Sequence, residues 1–226
     1  MYMSRIQLRP GAANSPAFWR LLYDGYHVHR QLWTLFAGLD SQSRGFLYRQ
    51  EQRNTGLMFF TVSDKEPRDE RGLWHIETKR YEPKIWTGQR LGFLLRVNPV
   101  RSKRDASRKQ HRHDLVMEAK RSLKQEGKWE KGRPPEQEII QREGFAWLTS
   151  RSSKNGFSVN ENEVRVDGYR QHRWYKPRGG HQVRFSTVEI TGRLTVIDPE
   201  LFKEVLLRGI GHAKGFGCGL LMVRPI

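Results

Sequence analysis

The strongest constraint on the fold is the order of hydrophobic patterns along the 226-residue chain. Residues 1–8 alternate as in a β-strand, and residues 17–37 carry apolar side chains at helical spacing. Strand patterns then follow, with a less regular segment before the last of them, at residues 46–51, 56–62, 74–77 and 91–97. This order predicts a ferredoxin-like βαββαβ unit in residues 1–100.

The second half of the chain shows a similar mixture of helix and strand patterns. Pro134-Pro135 opens an amphipathic helix through about residue 150, and Asp198-Pro199 starts a helix through residue 207. Two long strand patterns lie between these helices, at residues 164–174 and 182–196. The two halves therefore share a mixed α+β pattern, and because no residue-level repeat is visible, a duplication is only inferred.

Between these halves, residues 101–133 are rich in arginine and lysine. We interpret them as a basic connector that is partly helical near residues 115–125. The predicted fold class is α+β.

The charge of the chain points to a polyanionic partner. It contains 41 Lys and Arg against 24 Asp and Glu, which gives a net charge of +17. Nucleic acid and an anionic membrane surface are the two candidates, but no apolar run approaches the roughly 20 residues of a spanning helix. The single cysteine, Cys218, excludes an internal disulfide and fits a reducing compartment. We therefore expect a cytoplasmic nucleic-acid-binding protein without a membrane partner.

A glycine-rich run precedes the apolar residues 220–223 near the end of the chain. Its glycines alternate with a histidine and a lysine, His212 and Lys214, and stand at Gly209, Gly211, Gly215, Gly217 and Gly219. Glycine adopts positive φ readily and lets several backbone N–H groups approach a phosphate. The spacing matches neither the P-loop nor the dinucleotide-binding pattern. The run is either a phosphate-contacting loop or a flexible connection before a terminal strand.

The first predicted helix contains a possible acid/base pair. Tyr26, His29 and Arg30 lie on one helical face, because residues three and four apart are neighbours there. Imidazole transfers protons well near neutral pH. A structural role for the Tyr–His pair is the alternative.

A predicted hairpin over residues 165–184 has many cations and aromatic residues. Because the major groove of an A-form duplex is deep and narrow, proteins recognise duplex RNA mainly through its shape, phosphates and 2′-hydroxyls. A basic ribbon could grip such a stem, unless its charges serve only solubility. The candidate contacts are Arg170, Arg173, Lys176, Arg178 and Arg184. Arg101, Lys103 and Arg104 of the connector would add looser electrostatic attraction.

Three groups of residues resemble motifs of one known family, and they follow one another along the chain in the same order as in that family. They are Tyr26-x-x-His29-x-x-Leu32-Trp33-x-x-Phe36, Leu95-Arg96-Val97-Asn98-Pro99, and Gly209-x-Gly211-x-Ala213-Lys214-x-x-Gly217-x-Gly219 preceded by Gly192-Arg193-Leu194. The glycine run is typical of the repeat-associated RNA-binding (RAMP) superfamily. Together with the tyrosine–histidine helix it resembles the CasE-type CRISPR-associated endoribonucleases. The basic stretch 116–133 departs from the family pattern by its length.

This resemblance implies two tandem ferredoxin-like (RRM-like) domains with antiparallel sheets, the second over residues 134–226. It also implies a function for the whole chain. Such proteins bind the stem-loop of a CRISPR repeat and cut at its 3′ base without a metal ion or other cofactor. The 2′-OH attacks, which leaves a 2′,3′-cyclic phosphate. The crRNA stays bound, and the protein becomes a subunit of the type I-E complex Cascade beside the backbone protein at the crRNA 3′ end.

By the same resemblance, Tyr26 and His29 are the catalytic pair. Histidine can act as acid or base near its pKa of about 6.5, whereas tyrosine, near 10, is a poor base. Tyrosine is better suited to position the 2′-OH or to donate to the phosphate. The expected RNA contacts include Arg30, Arg96, Lys214 and the glycine loop, and Arg30 is a candidate for stabilising transition-state charge.

Three other interpretations compete with this one. A metal site could be built from His111 and His113 with Asp105 or Asp114, but the surrounding cations oppose a divalent ion. A non-catalytic subunit that binds an RNA hairpin is the second. A DNA-binding module is the third, although the sequence has no helix-turn-helix or zinc-finger pattern.

Overall fold

The computed structural model describes residues 1–11, 25–36, 45–53, 56–105, 107–108, 110–127, 132, 134–175 and 182–226. The first unit consists of β1 (Tyr2–Leu8), α1 (Gly25–Trp33), a 3₁₀ turn (Thr34–Phe36), β2 (Phe46–Arg53), β3 (Gly56–Ser63) and β4 (Trp74–Arg80). Its antiparallel sheet has the order β2-β3-β1-β4. This is the strand order of a ferredoxin-like fold.

The core of the first unit lies between α1 and one face of this sheet. Val28 and Leu32 of α1 pack with Ile6, Phe59 and Trp74, all of which are almost fully buried. These positions follow the helical and alternating spacings of the sequence, so burial of apolar area is what holds α1 against the sheet.

The second unit has the same strand order with additional elements. It comprises β5 (Arg90–Val97), β6 (Val100–Arg104), β7 (Gln110–Asp114), α2 (Leu115–Gln125), α3 (Glu136–Ser152), a 3₁₀ turn (Ser153–Asn155), β8 (Phe157–Tyr175), β9 (Gln182–Val196), α4 (Pro199–Arg208), a second 3₁₀ turn (Lys214–Phe216) and β10 (Leu221–Pro225). The antiparallel sheet has the order β10-β5-β9-β8, and β6 and β7 form a separate hairpin. The predicted α+β fold of two tandem ferredoxin-like units is confirmed.

One strand belongs to a different unit from the one expected. Residues 91–97 were predicted to complete the first unit, and this prediction is wrong, because β5 pairs with β9 and β10. β4 already occupies the fourth position of the first sheet, along β1. The buried side chains of β5, including Leu95 and Val97, join the core of the second unit.

The predicted connector 101–133 contains more structure than expected. Its helix is confirmed as α2, which begins after Asp114, whose side chain accepts from the Met117 backbone N–H at 2.9 Å. The hairpin of β6 and β7 was missed, because its sequences VRSKR and QHRHD have no apolar alternation. Within the described residues, no helix is long and apolar enough to span a membrane.

The face of the first sheet opposite α1 packs against the second unit. Leu47 and Val62 of the first sheet form a buried cluster with Leu220, which precedes β10. The two units therefore share an apolar contact, and the cleft beside it carries the charged residues described below.

Candidate functional site

His29 lies on α1 among aromatic rings. The centroid of its imidazole is 5.5 Å from that of Trp33, 6.0 Å from that of Phe46 and 6.1 Å from that of Tyr48. Phe46 and Tyr48 project from the same face of β2, two residues apart. Because β2 is an edge strand, the histidine stands at the border of the first sheet, where another element can approach.

The other residues of the predicted catalytic helix flank His29. Tyr26 belongs to α1 one turn earlier, but its side chain lies outside the described part of the structure. Arg30 is exposed beside His29.

The glycine loop of the second unit contacts this border. The 3₁₀ turn Lys214–Phe216 packs against α1 and β2. In addition, the Tyr48 hydroxyl donates to the carbonyl of Gly215 at 3.1 Å in a buried hydrogen bond. The structure therefore brings together two sequence motifs that are about 180 residues apart, the histidine helix and the glycine run.

Glycine is required in this loop by its close backbone crossing. Gly209 has φ +71° and Gly219 has φ +88°, and a Cβ on Gly209 would lie 2.7 Å from the Gly219 carbonyl oxygen. The backbone N–H of Ile210 donates to that same oxygen at 2.9 Å, and the Gly219 N–H donates to the Arg96 carbonyl at 2.8 Å. These contacts give the glycines a structural role in closing the loop.

Three further positions of the loop were expected to contact RNA. Gly211 and Gly217 also have positive φ, and a Cβ on them would lie 2.8 Å from the Trp147 ring and 3.2 Å from the Tyr48 ring. The ammonium of Lys214 donates to the Arg208 carbonyl at 2.7 Å, at the C-terminal end of α4. A cation is favourable there because helix C-termini carry partial negative charge.

From the glycine loop a stack of three rings leads to the base of the β8–β9 hairpin. The ring centroid of Phe216 is 5.0 Å from that of Phe185, which is 4.7 Å from that of His172. His172 Nε2 lies 3.0 Å from the Thr187 hydroxyl. Burial lowers the pKa of His172, and the charges of Arg96 and Arg170 lower it further. In the sequence, His172 is one of the ring-bearing residues interleaved with the cations of the predicted hairpin, and nothing there indicated its contact with the glycine loop.

A cleft of about 700 Å³ lies between the units and is crossed by an ion-pair network. Arg49 of β2, only 3 % exposed, donates to Glu51 and, at 2.8 Å, to Glu189 of β9. Arg96 donates to Glu189 from β5 and reaches the Gln50 carbonyl at 2.9 Å. Arg96, expected to contact RNA, is thus engaged in a network that links the two sheets.

The basic hairpin places its arginines in different surroundings. Arg170 lines the cleft between the units. Arg173 and Arg184 are exposed and face each other across β8 and β9, and Arg184 donates to Gln182. Lys176 and Arg178 lie outside the described residues.

The cations of β6 lie near one carboxylate. Lys103 donates to Glu118 of α2, and Arg101 is 3.7 Å from the same side chain. The Arg104 side chain lies outside the described part of the chain. Because such exposed pairs are weak, Arg101 and Lys103 retain most of their electrostatic attraction for a polyanion.

Two residues of the alternative metal site are in contact. His111 Nε2 lies 2.7 Å from an Asp105 carboxylate oxygen. Asp114 instead caps α2 and accepts from the hydroxyls of Tyr169, at 3.0 Å, and Ser186. In the part of the chain that is described, no group of three His, Cys, Asp or Glu side chains could hold a metal ion.

Comparisons with known proteins agree over the whole chain. A family model described as CRISPR associated protein matches residues 1–225. The chain is 29 % identical over 205 residues to the CRISPR system Cascade subunit CasE of Escherichia coli K12, covering 90 % of this chain and 93 % of CasE. It is 28 % identical over 240 residues to the CRISPR-associated endoribonuclease Cse3 of Thermus thermophilus, covering 100 % of both chains. A structure of CRISPR endoribonuclease Cse3 bound to 19 nt RNA superposes with a TM-score of 0.73 at 27 % identity, again over 100 % of both chains.

Proposed function

Because the chain belongs to the family of CRISPR-associated proteins, we propose that it is an endoribonuclease that cuts CRISPR repeat RNA at the 3′ base of its stem-loop. After cleavage it remains on the crRNA hairpin as a subunit of Cascade, in the cytoplasm. The relatives named Cascade subunit CasE and endoribonuclease Cse3 support both parts of this proposal. The resemblance to CasE-type proteins found in the sequence is confirmed.

The observation that carries the proposal is the position of His29. It stands on the border of the first unit, where α1 and β2 meet the glycine loop of the second. The exposed cations of the β8–β9 hairpin belong to that second unit, and the ring stack that ends on Phe216 joins them to the loop. An RNA held by those cations would therefore present its backbone to a histidine on the first unit.

The proposed reaction is an internal transfer at one phosphodiester. The ribose 2′-oxygen loses its proton and bonds to phosphorus, while the 5′-oxygen leaves and takes up a proton. The products are a 2′,3′-cyclic phosphate and a 5′-hydroxyl, and no metal ion is required. His29 carries out one of the two proton transfers, because imidazole titrates near neutral pH.

Two neighbours of His29 in α1 have supporting roles. We assign Tyr26 to positioning the 2′-hydroxyl or donating a hydrogen bond to the phosphate, since a phenol of ordinary pKa is a poor base. Arg30 stabilises the negative charge that develops on the phosphate, because it is exposed next to the histidine.

The test is cleavage of the cognate repeat hairpin RNA in excess EDTA, followed by analysis of the 3′ ends. We expect a 2′,3′-cyclic phosphate from the wild type, and its formation by His29→Ala to be slower by roughly 10²- to 10⁴-fold. His75→Ala is the matched control, because that histidine is exposed on β4, the edge strand opposite β2. Its side chain lies on the face opposite α1, since the neighbouring Trp74 packs with that helix. Tight binding without cleavage would identify a non-catalytic hairpin-binding subunit, and cleavage that EDTA abolishes would revive a metal site.

A further inference from the structure

A second groove lies at the base of the β8–β9 hairpin, and we call it the hairpin-base groove. It has a volume of about 390 Å³. Five elements meet there: β6, β7, β8, β9 and the glycine loop. Among its lining residues, we call the cationic and imidazole side chains the rim and the apolar side chains the floor. The rim consists of Arg112, Arg173, Arg184 and His212, and the floor of Val100, Val183, Ala213, Phe185 and Phe216. Two of the rim residues, Arg112 and His212, have no part in the site around His29.

The groove has an unbalanced positive charge. Within the described residues, no carboxylate lies within ion-pair distance of Arg112 or Arg173. Asp114 is the acidic side chain that lines the groove, and both its oxygens are occupied. One oxygen accepts from the Met117 N–H, and the other accepts from the hydroxyls of Tyr169 and Ser186. The rim therefore presents cations that an anionic ligand would neutralise.

His212 contributes a neutral hydrogen-bonding group to the same rim. Burial lowers its pKa, and the charges of Arg112, Arg151 and Lys214 lower it further. A neutral imidazole both donates and accepts, so it can pair with the edge of a base or with a 2′-hydroxyl.

The size and lining of the groove decide which part of an RNA fits. A volume of about 390 Å³ is near the lower end of pockets that enclose small ligands, so a single nucleotide enters and a duplex does not. The apolar floor suits a base, while the arginines suit its phosphate. An unpaired nucleotide has both parts accessible, whereas a paired one has its base in the helix.

We propose that the hairpin-base groove binds an unpaired ribonucleotide that flanks the RNA stem, with its phosphate on Arg112 and Arg173 and its base against the floor. This rests on the proposed function, because it assumes that a repeat hairpin is the ligand. The inserted β6–β7 hairpin then has a role, which is to supply Arg112 as the outer wall of the groove.

The experiment combines protein variants with shortened RNAs. Repeat hairpins with 2′-deoxyribose at the 3′ base of the stem, which stay intact, are prepared with unpaired nucleotides on both sides, on one side, and on neither. Their affinities are measured for the wild type, Arg112→Ala, His212→Gln and the control Arg121→Ala. Arg121 is an exposed arginine of α2 outside the groove, so its replacement removes the same charge.

We expect Arg112→Ala to weaken binding roughly tenfold for the hairpins that keep the unpaired nucleotides on one particular side of the stem. This loss is the effect of one charge-assisted contact. The slope of log affinity against log salt should fall by about 0.7, as for one phosphate of a single strand. The affinity of Arg112→Ala for the hairpin without unpaired flanks should fall by less than about twofold. Arg121→Ala should lower the affinity for every RNA by less than about twofold as well. His212→Gln should show the same dependence on the flank with a smaller loss.

Two results would overturn the inference and leave the proposed function intact. Equal losses for flanked and blunt RNA would mean that Arg112 contacts the stem. Affinities of Arg112→Ala that match those of Arg121→Ala would mean that the groove binds no RNA. Failure of the wild type to bind any of the hairpins would overturn the proposed function as well.

Discussion

The two ferredoxin-like units have one strand order but different additions. In the first unit β3 is joined to β4 by residues 64–73, all of which are described and none of which is helical. In the second unit the corresponding position is filled by α4, and the β6–β7 hairpin and α2 are added. The β8–β9 hairpin is also longer than its counterpart, the β2–β3 hairpin. The first unit supplies the candidate reactive histidine, and the second supplies the glycine loop and most candidate RNA contacts.

Under the proposed function, the two units divide chemistry from binding. A histidine on a helix packed over a sheet is held firmly by its neighbours, as His29 is by Phe46 and Tyr48. An extended ribbon places cations far from the core, as at Arg173 and Arg184. The following predictions test this division, in order of decreasing effect.

The largest effect should separate His29 from His172, one histidine from each unit. We expect His29→Ala to lower the single-turnover cleavage rate by roughly 10²- to 10⁴-fold, the usual contribution of general acid–base catalysis. Affinity for the hairpin should stay nearly unchanged, because the proton transfer occurs in the transition state. His172→Ala should lower the rate less than about tenfold. A larger loss with His172→Ala than with His29→Ala would assign the chemistry to the second unit.

The next effect concerns the carboxylate that links the units. Glu189 accepts from the buried Arg49 and from Arg96, and Glu189→Gln leaves a buried cation poorly compensated. We expect the free energy of unfolding in urea to fall by about 3 kcal/mol. Glu163→Gln is the control, since Glu163 also accepts from two arginines, Arg90 and Arg193, but both are more than half exposed.

The loss for Glu163→Gln should be below about 1 kcal/mol, as for exposed ion pairs. If both variants lowered the free energy of unfolding equally, the ion pairs of Glu189 would be no stronger than exposed surface pairs, despite the burial of Arg49.

The glycine loop offers a third test of the contact between units. Gly209→Ala should destabilise the fold by about 3 kcal/mol, because the new Cβ meets the Gly219 carbonyl oxygen in a left-handed backbone conformation. Gly88→Ala has a similar φ, +80°, with open space around the new Cβ, and should cost about 1 kcal/mol. Thermal unfolding of both variants measures the difference. Equal shifts would mean that φ alone, and not crowding, requires glycine at position 209.

The smallest effect should come from one hydrogen bond between the units. Tyr48→Phe removes the donor to the Gly215 carbonyl and should cost about 1 kcal/mol in urea unfolding. Tyr81→Phe is the control, because Tyr81 packs against apolar residues of both units and its hydroxyl has no hydrogen-bond partner within the described residues. Its loss should be under about 0.5 kcal/mol. A larger loss for Tyr81→Phe than for Tyr48→Phe would mean that the hydrogen bond from Tyr48 does not stabilise the contact between the units.

Much of the fold could be predicted because apolar periodicity is a local property. The predicted strand 182–196 agrees with β9 at both ends, and the helix 199–207 agrees with α4 within one residue. The strand at 164–174 was predicted too short, since β8 begins at Phe157 and its first half, around Asn160 to Asn162, is polar and exposed. Polar edge residues give no alternation signal.

The candidate site was less accessible to sequence reasoning. The motif of His29 and the glycine run were each found, but their contact depends on Tyr48, which nothing in the sequence singles out. Arg96 carries the same signal as any exposed arginine, although the structure pairs it with Glu189. The sequence does not specify which carboxylate pairs with a given arginine, because the fold determines which charged side chains lie close together.

The sequence by itself determined the element types, the basic character and the two motifs that identify the family. Tertiary structure alone decided that β5 joins the second sheet, that β6 and β7 form a wall of the hairpin-base groove, and that the glycine loop contacts α1. The physical reason is that alternation specifies which face of a strand is buried but not which strand lies beside it. Strand partners and ion pairs are contacts between distant residues, and packing of the whole chain selects them.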